Sequence, residues 1–265
     1  MKLVLQKMVS KLESTIQYYL RTPDNSISMN ELIGKEISLL WSGVIYCNKC
    51  AKETKKSFGE GFCFTCFSSA AEASPCILHP ELCEAHLGKG RDLEFEERNH
   101  NQPHFVYLAA TDKVKVGVTR ATQIPTRWID QGASSSIILA ETPNRYLAGC
   151  IEVALKDFFT DKTNWQNMLR NFQDESIDLE EEKWQVHEEL PSDLTQYWIE
   201  NDEITNLNYP VLEYPEKVSS MSFDKTAQIQ GTLTGIRGQY LIFDTKNVIN
   251  IRRHSGYEIE INEVS

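Results

Sequence analysis

The chain has 265 residues, of which 41% are hydrophobic and 10% aromatic, so it can build a core and is unlike a wholly disordered protein. Its net charge of -11 argues against a broadly basic protein that wraps nucleic acid. No apolar run is long enough to cross a bilayer, and the N-terminus lacks a signal-peptide cleavage site. Seven cysteines, an odd number, favour metal binding in a reducing compartment. We therefore expect a cytoplasmic protein that has no membrane partner; the sequence leaves its oligomeric state open.

In chain order, the pattern of apolar residues and turn residues predicts an α+β fold with small β modules at both ends. The predicted segments are an N-terminal β module (1–46), a zinc-binding module (47–100), a central domain with a small mixed sheet and flanking helices (101–175), an acidic helical segment (176–215) and a C-terminal β module (216–265). Within the acidic segment, helices are expected near 178–189 and 192–200.

The two ends of the chain resemble each other. One ungapped shift aligns Gln17-Tyr18 with Gln239-Tyr240, Ile27 with Ile249, Gly34 with Gly256, and Glu36-Ile37 with Glu258-Ile259. This pattern indicates a duplicated β module whose copies pair in space. The alternative is a chance similarity between two short β segments.

Four cysteines in the second segment have the spacing of a zinc ribbon. Cys47 and Cys50 form one C-x2-C pair, and Cys63 and Cys66 form another. Each pair can direct two thiolates at one centre, and two pairs complete a tetrahedral S4 shell. We predict a structural zinc ion at this site.

A second group of potential ligands follows directly. Its members are Cys76, His79, Cys83 and His86. Thiolate and imidazole ligands suit zinc, so the group predicts a second zinc ion. A buried thiol with surface histidines is the alternative interpretation.

The central segment contains two β-type runs, FVYLAA (105–110) and VKVGVT (114–119), which predict a hairpin. In this hairpin Tyr107 lies opposite Gly117, and residues 107, 109, 115 and 117 share one face. Gly117 would leave room for a ligand over Tyr107.

A helix is predicted to begin after Pro143 and Asn144. Its apolar stripe is Leu147, Ile151, Ala154 and Phe158.

The block from Phe105 to Trp165 resembles the GIY-YIG nuclease superfamily, with FVY at 105–107 in place of G-I-Y and KVG at 115–117 in place of Y-I-G. The resemblance implies a GIY-YIG-like domain and a Mg²⁺-dependent nuclease acting on DNA or RNA. The residues that match its site are Tyr107, Lys115, Gly117, Arg127 and Glu152, with Asn164 as a looser match and Arg120 as a further cation.

The chemistry of such a site suggests a role for each group. Tyr107 would be the general base, and nearby cations would have to lower its pKa from an ordinary value of about 10. Arg127 would hold the phosphate through its planar guanidinium, and Glu152 would bind Mg²⁺. Taken singly, each residue also fits an ordinary structural or surface role.

The whole chain also resembles a bacterial family known only as a domain of unknown function. The resemblance rests on four runs: VKVGVTRATQIPTRWIDQGA, PNRYLAG, DKTNW and GIRGQYLIFD.

Three functions compete at this point. The first is the nuclease, with the lysines Lys49, Lys52, Lys55 and Lys56 of the cysteine-rich loop touching phosphates. The second is a catalytically silent module that binds nucleic acid or protein, which the lysine in place of the Y-I-G tyrosine and the acidic net charge favour. The third is a scaffold that binds a protein through the acidic segment and the terminal β modules.

Overall fold

A computed structural model describes residues 1–159, 164–174 and 176–264. Its strands are β1 (Lys2–Val4), β2 (Val9–Lys11), β3 (Gln17–Arg21), β4 (Ser26–Ser28), β5 (Glu36–Ile45), β6 (His104–Ala110), β7 (Val114–Arg120), β8 (Ser135–Thr142), β9 (Ile204–Asn206), β10 (Ser219–Ser220), β11 (Gln228–Arg237), β12 (Tyr240–Phe243), β13 (Asn247–Asn250) and β14 (Tyr257–Glu263). Its α-helices are α1 (Phe64–Ser69), α2 (Leu93–Asn99), α3 (Thr126–Asp130), α4 (Arg145–Leu155), α5 (Trp165–Leu169) and α6 (Leu179–His187). Several small sheets and short helices confirm the predicted α+β class.

Two compact units make up the chain. The first comprises Met1–Ser68, Ile129–Gly132 and Asn208–Ser265, and therefore contains both chain ends. The second comprises Ser69–Trp128 and Ala133–Leu207.

The first unit contains a seven-stranded sheet with the order β1-β14-β5-β11-β12-β13-β10 and a three-stranded sheet with the order β2-β3-β4. Strands β5 and β14 pair antiparallel, with Ile37 opposite Glu263 and Trp41 opposite Ile259. The buried side chains of Ile37 and Ile259 belong to the core of this unit. The two aligned segments of the predicted duplication therefore lie side by side.

The duplication also extends to the elements before these strands. A short 3-10 helix precedes each glycine, at Asn30–Leu32 and at Arg252–His254. Gly34 and Gly256 follow with φ angles of 87° and 94°. Strand β1 pairs with β14, and β11 pairs with β5, so strands from the two ends of the chain lie next to each other in one sheet. The matching 3-10 helices and glycines favour a duplicated module over chance similarity.

The two glycines provide a matched pair of substitutions. A side chain at either position adopts a left-handed backbone conformation, which costs about 1–2 kcal/mol. At Gly34 an added Cβ would meet its nearest atom at 3.9 Å, whereas at Gly256 it would lie 2.3 Å from the carbonyl oxygen of Tyr46. We expect Gly34→Ala to lower the free energy of unfolding by about 1 kcal/mol and Gly256→Ala by about 3 kcal/mol. Urea unfolding measures both values, and equal losses would contradict the close approach at Gly256.

The second unit is built on a four-stranded antiparallel sheet with the order β7-β6-β8-β9. Strands β6 and β7 form the predicted hairpin in the predicted register, with Tyr107 opposite Gly117 and Ala109 opposite Lys115. The other face of the hairpin enters the core of the unit through Val106, which clusters with residues of α4 and α6.

Helix α4 begins where the sequence predicts, with the side chain of Asn144 accepting a hydrogen bond from the backbone N–H of Leu147. Its apolar stripe agrees with the prediction in part. The helix buries Ala148, Ile151 and Leu155, and the partly buried Leu147 packs against the same core. Leu147 and Ile151 therefore agree with the prediction, whereas Ala148 and Leu155 replace Ala154 and Phe158. The helix ends at Leu155, which leaves Phe158 49% exposed.

The acidic segment forms only one of its two predicted helices as an α-helix. Helix α6 agrees with the first, but the second, expected over 192–200, contracts to a 3-10 turn at Thr195–Tyr197. After this turn the backbone N–H of Ile199 donates to the carbonyl oxygen of Leu139 on β8, so strand-like pairing replaces the helix. Among the described residues, we find no helix with the length and apolar character that a bilayer crossing requires.

Candidate metal centres and catalytic residues

The two C-x2-C pairs of the first unit converge. The sulfur atoms of Cys47, Cys50, Cys63 and Cys66 all lie within 4.8 Å of one another. The thiols of Cys50 and Cys63, one from each pair, are 4.0 Å apart. Four thiols at this separation can bind one zinc ion, as the spacing predicts.

Two local backbone structures, a turn after Cys47 and the start of α1, hold these thiols in position. Cys47 precedes a turn in which the backbone N–H of Ala51 donates to its carbonyl oxygen, and Ala51 has a positive φ of 58°. Cys63 precedes α1, and the backbone N–H of Cys66 donates to its sulfur. Desolvation raises the pKa of the Cys47 thiol, but hydrogen bonds, chiefly from the backbone N–H groups of Cys50 and Cys63, outweigh it and lower the pKa to about 6. The thiolate that a metal needs is therefore accessible near neutral pH.

The loop between the two pairs has little apolar core of its own. Phe58 contacts the rings of Phe64 and Phe67, with centroids 5.5 and 6.0 Å away. Phe64 is 66% exposed and Phe67 is 39% exposed, so this cluster removes little apolar surface from water. A bound metal would provide the stabilisation that this small cluster lacks. The side chains of Lys49, Lys52, Lys55 and Lys56 are all exposed.

A second group of ligand-type side chains lies in the second unit, but its membership differs from the prediction. Atoms of Cys76, Cys83, Glu96 and His100 lie within 4.8 Å of one another, and all four residues are buried. The two cysteines agree with the predicted set, whereas Glu96 and His100 take the places of His79 and His86.

The two predicted histidines have other contacts. His79 precedes the 3-10 helix Pro80–Leu82 and lies 3.4 Å from the carboxylate of Glu81, with its side chain 57% exposed. The ring of His86 stacks on Tyr146 of α4 at a centroid distance of 4.6 Å. Sequence spacing alone favoured these histidines because they alternate with the cysteines, but short 3-10 helices direct them elsewhere.

Tyr107 occupies the middle of the hairpin face and is fully buried. A Cβ on Gly117 would lie 2.6 Å from its hydroxyl oxygen, so the phenol itself fills the space over Gly117 that we expected to receive a ligand. Trp128 packs edge-on against the phenol at a centroid distance of 5.9 Å. The structure therefore brings Tyr107 and Gly117 together, with Lys115 half-buried two residues along the same face.

Arg127 and Glu152 come from different helices, yet they interact electrostatically. Burial raises the pKa of Glu152, and the like charge of Glu81 adds to that shift. Three cations oppose the shift without cancelling it: Lys156, Arg145 and Arg127. Glu152 is therefore a desolvated carboxylate among positive charges, next to a second carboxylate.

The remaining predicted residues have identifiable contacts. Arg120 is three residues after Gly117 on β7, and side chains along a strand point alternately to its two faces, so Arg120 lies on the opposite face of the hairpin from Tyr107. Its guanidinium contacts the side-chain oxygen of Asn99. Asn164 caps α5, where its side-chain oxygen accepts from the backbone N–H groups of Gln166 and Asn167. That cap accounts for an asparagine at this position.

One family model matches most of the chain. It is described as "Protein of unknown function (DUF2797)" and matches residues 34–259. The chain belongs to this family. The DUF2797 match begins at Gly34, within the N-terminal segment and just before β5, and includes both groups of cysteines. Of the runs that suggested the family, DKTNW lies partly outside the described residues, at 161–163. Searches of curated proteins and of solved structures give no match.

The sequence interpretation missed three residues around these sites. Glu96 and His100 stand four positions apart on and just after α2, and this spacing is a recognisable signal that both side chains lie on one face of a helix. Glu81 carries no comparable signal, since only the packing of the 3-10 helix Pro80–Leu82 against α4 brings its charge close to Glu152.

Proposed function

We propose that the second unit is a metal-dependent phosphodiester hydrolase of GIY-YIG-like type that acts on DNA or RNA. The observation that carries this proposal is that Arg127 lies near enough to Glu152 for its positive charge to act on the pKa of that carboxyl, as do Lys156 and Arg145. The resemblance assigns Arg127 and Glu152 to one site. Their helices are separated in the chain by strand β8, so tertiary structure brings the two charges near each other. The zinc ribbon of the first unit would contribute exposed lysines for phosphate contacts.

Each side chain has a chemical role in this proposal. The guanidinium of Arg127 binds the phosphate through its planar set of donors and stabilises the charge that builds up during cleavage. Lys115 provides positive charge on the hairpin face that favours the ionised form of Tyr107, and this phenolate accepts a proton from the attacking water. Arg120 lies on the opposite face of the hairpin, so its charge would act on Tyr107 only from a greater distance than Lys115.

The surroundings of Glu152 fit a hard cation. Glu81 is a second carboxylate nearby, and its Oε2 atom is buried without a hydrogen-bond partner among the described residues. Oxygen ligands of this type suit Mg²⁺, which takes few protein carboxylates and keeps several waters. When bound, Mg²⁺ would supply charge stabilisation at the phosphate.

Nuclease assays on purified protein test the proposal. With Mg²⁺ present, the unmodified protein is expected to cut at least one member of a panel of single- and double-stranded DNA and RNA. Glu152→Gln removes one negative charge without changing shape and is expected to reduce the rate at least 100-fold, as is Tyr107→Phe. Glu94→Gln is the matched control, because Glu94 is an exposed carboxylate on α2. Equal rates for Glu152→Gln and the control would remove Glu152 from the mechanism.

A catalytically silent nucleic-acid-binding module is the second candidate, and the burial of Tyr107 favours it. A phenol that is shielded by Trp128 and fills the space over Gly117 has no direct contact with water. In that case Lys115 and the exposed lysines would bind phosphates without turnover.

Binding measurements distinguish the two candidates. The silent module predicts binding to DNA or RNA that weakens steeply as salt is added, that is unchanged when Mg²⁺ is chelated, and that Glu152→Gln leaves intact. Cutting that requires Mg²⁺ and Glu152 supports the hydrolase instead. Protein that is folded and zinc-loaded but neither binds nor cuts any member of the panel contradicts both.

A further inference from the structure

The interior of the segment that follows α1 is unusual in its chemistry. Its apolar cluster consists of Cys76, Cys83 and Ala85, with Tyr146 packed against it. The large apolar side chains of the segment face solvent instead, with Leu78 82% exposed and others similarly placed: Leu82 at 57%, Leu87 at 59% and Leu93 at 59%. Hydrophobic burial therefore contributes little to holding this segment together.

Besides small residues such as Ala71 and Ala85, the segment buries four potential metal ligands. Cys76 is 7% exposed, Cys83 is 2% exposed, and Glu96 and His100 are 4% and 3% exposed. Burial of a carboxylate and an imidazole is costly unless they are paired or bind a metal. Here the imidazole Nδ1 of His100 contacts a carboxylate oxygen of Glu96 and lies 3.9 Å from the sulfur of Cys76.

We propose that Cys76, Cys83, Glu96 and His100 hold a second zinc ion. Two thiolates and an imidazole suit zinc far better than Mg²⁺ or Ca²⁺, which prefer oxygen ligands alone. The carboxylate completes a four-ligand shell of two sulfurs, one nitrogen and one oxygen. The ligand atoms already lie within 4.8 Å of one another, so a small adjustment would bring them around one ion.

The surrounding residues are arranged to hold these ligands. The two cysteines follow one another across the 3-10 helices Pro75–Ile77 and Pro80–Leu82, while α2 presents Glu96 one turn before His100. Gly90 allows the chain to pass over the carboxylate, because a Cβ there would lie 2.2 Å from the Cγ atom of Glu96.

The same cluster is attached to the start of α4. The guanidinium of Arg145 donates two hydrogen bonds of 2.9 Å, to the carbonyl oxygens of Cys76 and Ile77. The backbone N–H of Arg145 donates to the carbonyl oxygen of His100, also at 2.9 Å. Zinc bound at this centre would therefore fix the N-terminal end of α4, and its loss should loosen that helix.

Zinc content gives the decisive measurement. We expect the unmodified protein to hold two zinc ions per chain by elemental mass spectrometry and to release two equivalents when its thiols are blocked. This count requires no variant to fold. A surface pocket of about 350 Å³ lies against Cys76 and Glu96 and gives reagents a route to the second centre. One zinc ion per chain in freshly purified, reduced protein would overturn the proposal, as would a disulfide between Cys76 and Cys83 under reducing conditions.

Variants locate the second ion. Cys83→Ser and His100→Ala should each reduce the content from two zinc ions to one, while His79→Ala and His86→Ala serve as matched controls that retain two. Cobalt loaded into the Cys63→Ser variant reports the second centre alone, through thiolate-to-metal absorption that His100→Ala changes and His79→Ala does not. Loss of zinc in the His79 or His86 variants but not in His100→Ala would support the ligand set predicted from spacing and contradict ours.

Amide hydrogen exchange provides a readout on the helix. In His100→Ala, exchange over Arg145–Leu155 is expected to be at least 10-fold faster than in the unmodified protein, whereas His79→Ala should leave it unchanged. Unchanged exchange in a His100→Ala protein that has lost one zinc would contradict the link to α4. None of these measurements depends on nuclease activity, so the second zinc centre can stand or fall apart from the proposed function.

Discussion

Cys63→Ser is expected to abolish zinc binding at the four-cysteine centre and to unfold the loop around it. The variant should contain one zinc ion fewer per chain than the unmodified protein. A structural zinc ion contributes an apparent 10 kcal/mol or more, roughly, to the folding of a small module at neutral pH. The exposed phenylalanines around this centre bury too little surface to replace that contribution.

Elemental mass spectrometry and limited proteolysis measure this effect. Cleavage within residues 47–68 should become at least 10-fold faster in Cys63→Ser. Cys150→Ser is the matched control, since Cys150 is a half-buried thiol on α4 that belongs to neither ligand group. If Cys63→Ser retained the full zinc content and the proteolytic resistance of the control, the four thiols would not form a metal centre.

Gly149→Ala is expected to destabilise the second unit even though alanine is the better helix former. In an exposed helix this change would stabilise by about 1 kcal/mol. At this position, however, a Cβ would lie 2.2 Å from the backbone nitrogen of Glu81 and 2.4 Å from the carbonyl carbon of Pro80. Backbone atoms cannot rotate away as a flexible side chain can, so the 3-10 helix and α4 must separate. We expect a loss of about 3 kcal/mol in the free energy of unfolding.

Urea unfolding measures this loss. Val153→Ala on the same helix is the control, because Val153 is 43% exposed and its truncation should change the free energy of unfolding by less than about 0.5 kcal/mol. A Gly149→Ala protein as stable as the unmodified one, or more stable, would show that the contact between α4 and Pro80–Leu82 does not form. Under our proposal for the second zinc ion, Gly149→Ala should also weaken zinc retention at that centre, because it displaces the loop between Cys76 and Cys83.

Local spacing was sufficient for several features. The C-x2-C pairs predicted their own convergence, because a knuckle of this length leaves the two sulfurs little freedom. The hairpin register followed from a three-residue connection between two alternating runs, which places Tyr107 opposite Gly117. The similarity between the chain ends indicated that two β modules pair in space, and β5 near one end does pair with β14 at the other.

Features that depend on packing between segments far apart in the chain could not be predicted as well from the sequence. The stripe of α4 shifted because the side chains of Val106 and its neighbours on β6 select which helix positions are buried. The predicted helix over 192–200 gave way to pairing with β8, where the backbone of Ile199 bonds to Leu139. In both cases tertiary contacts outweighed a local pattern.

The sequence by itself determined the α+β class, the four-cysteine cluster and the hairpin, since each is encoded in residue spacing over a short stretch of chain. Only the tertiary structure decided that Glu96 and His100 join Cys76 and Cys83, that Glu81 approaches Glu152, and that Tyr107 is buried under Trp128. These arrangements depend on how separate segments pack, and the free energy of that packing is spread over many contacts. No single spacing in the sequence records it.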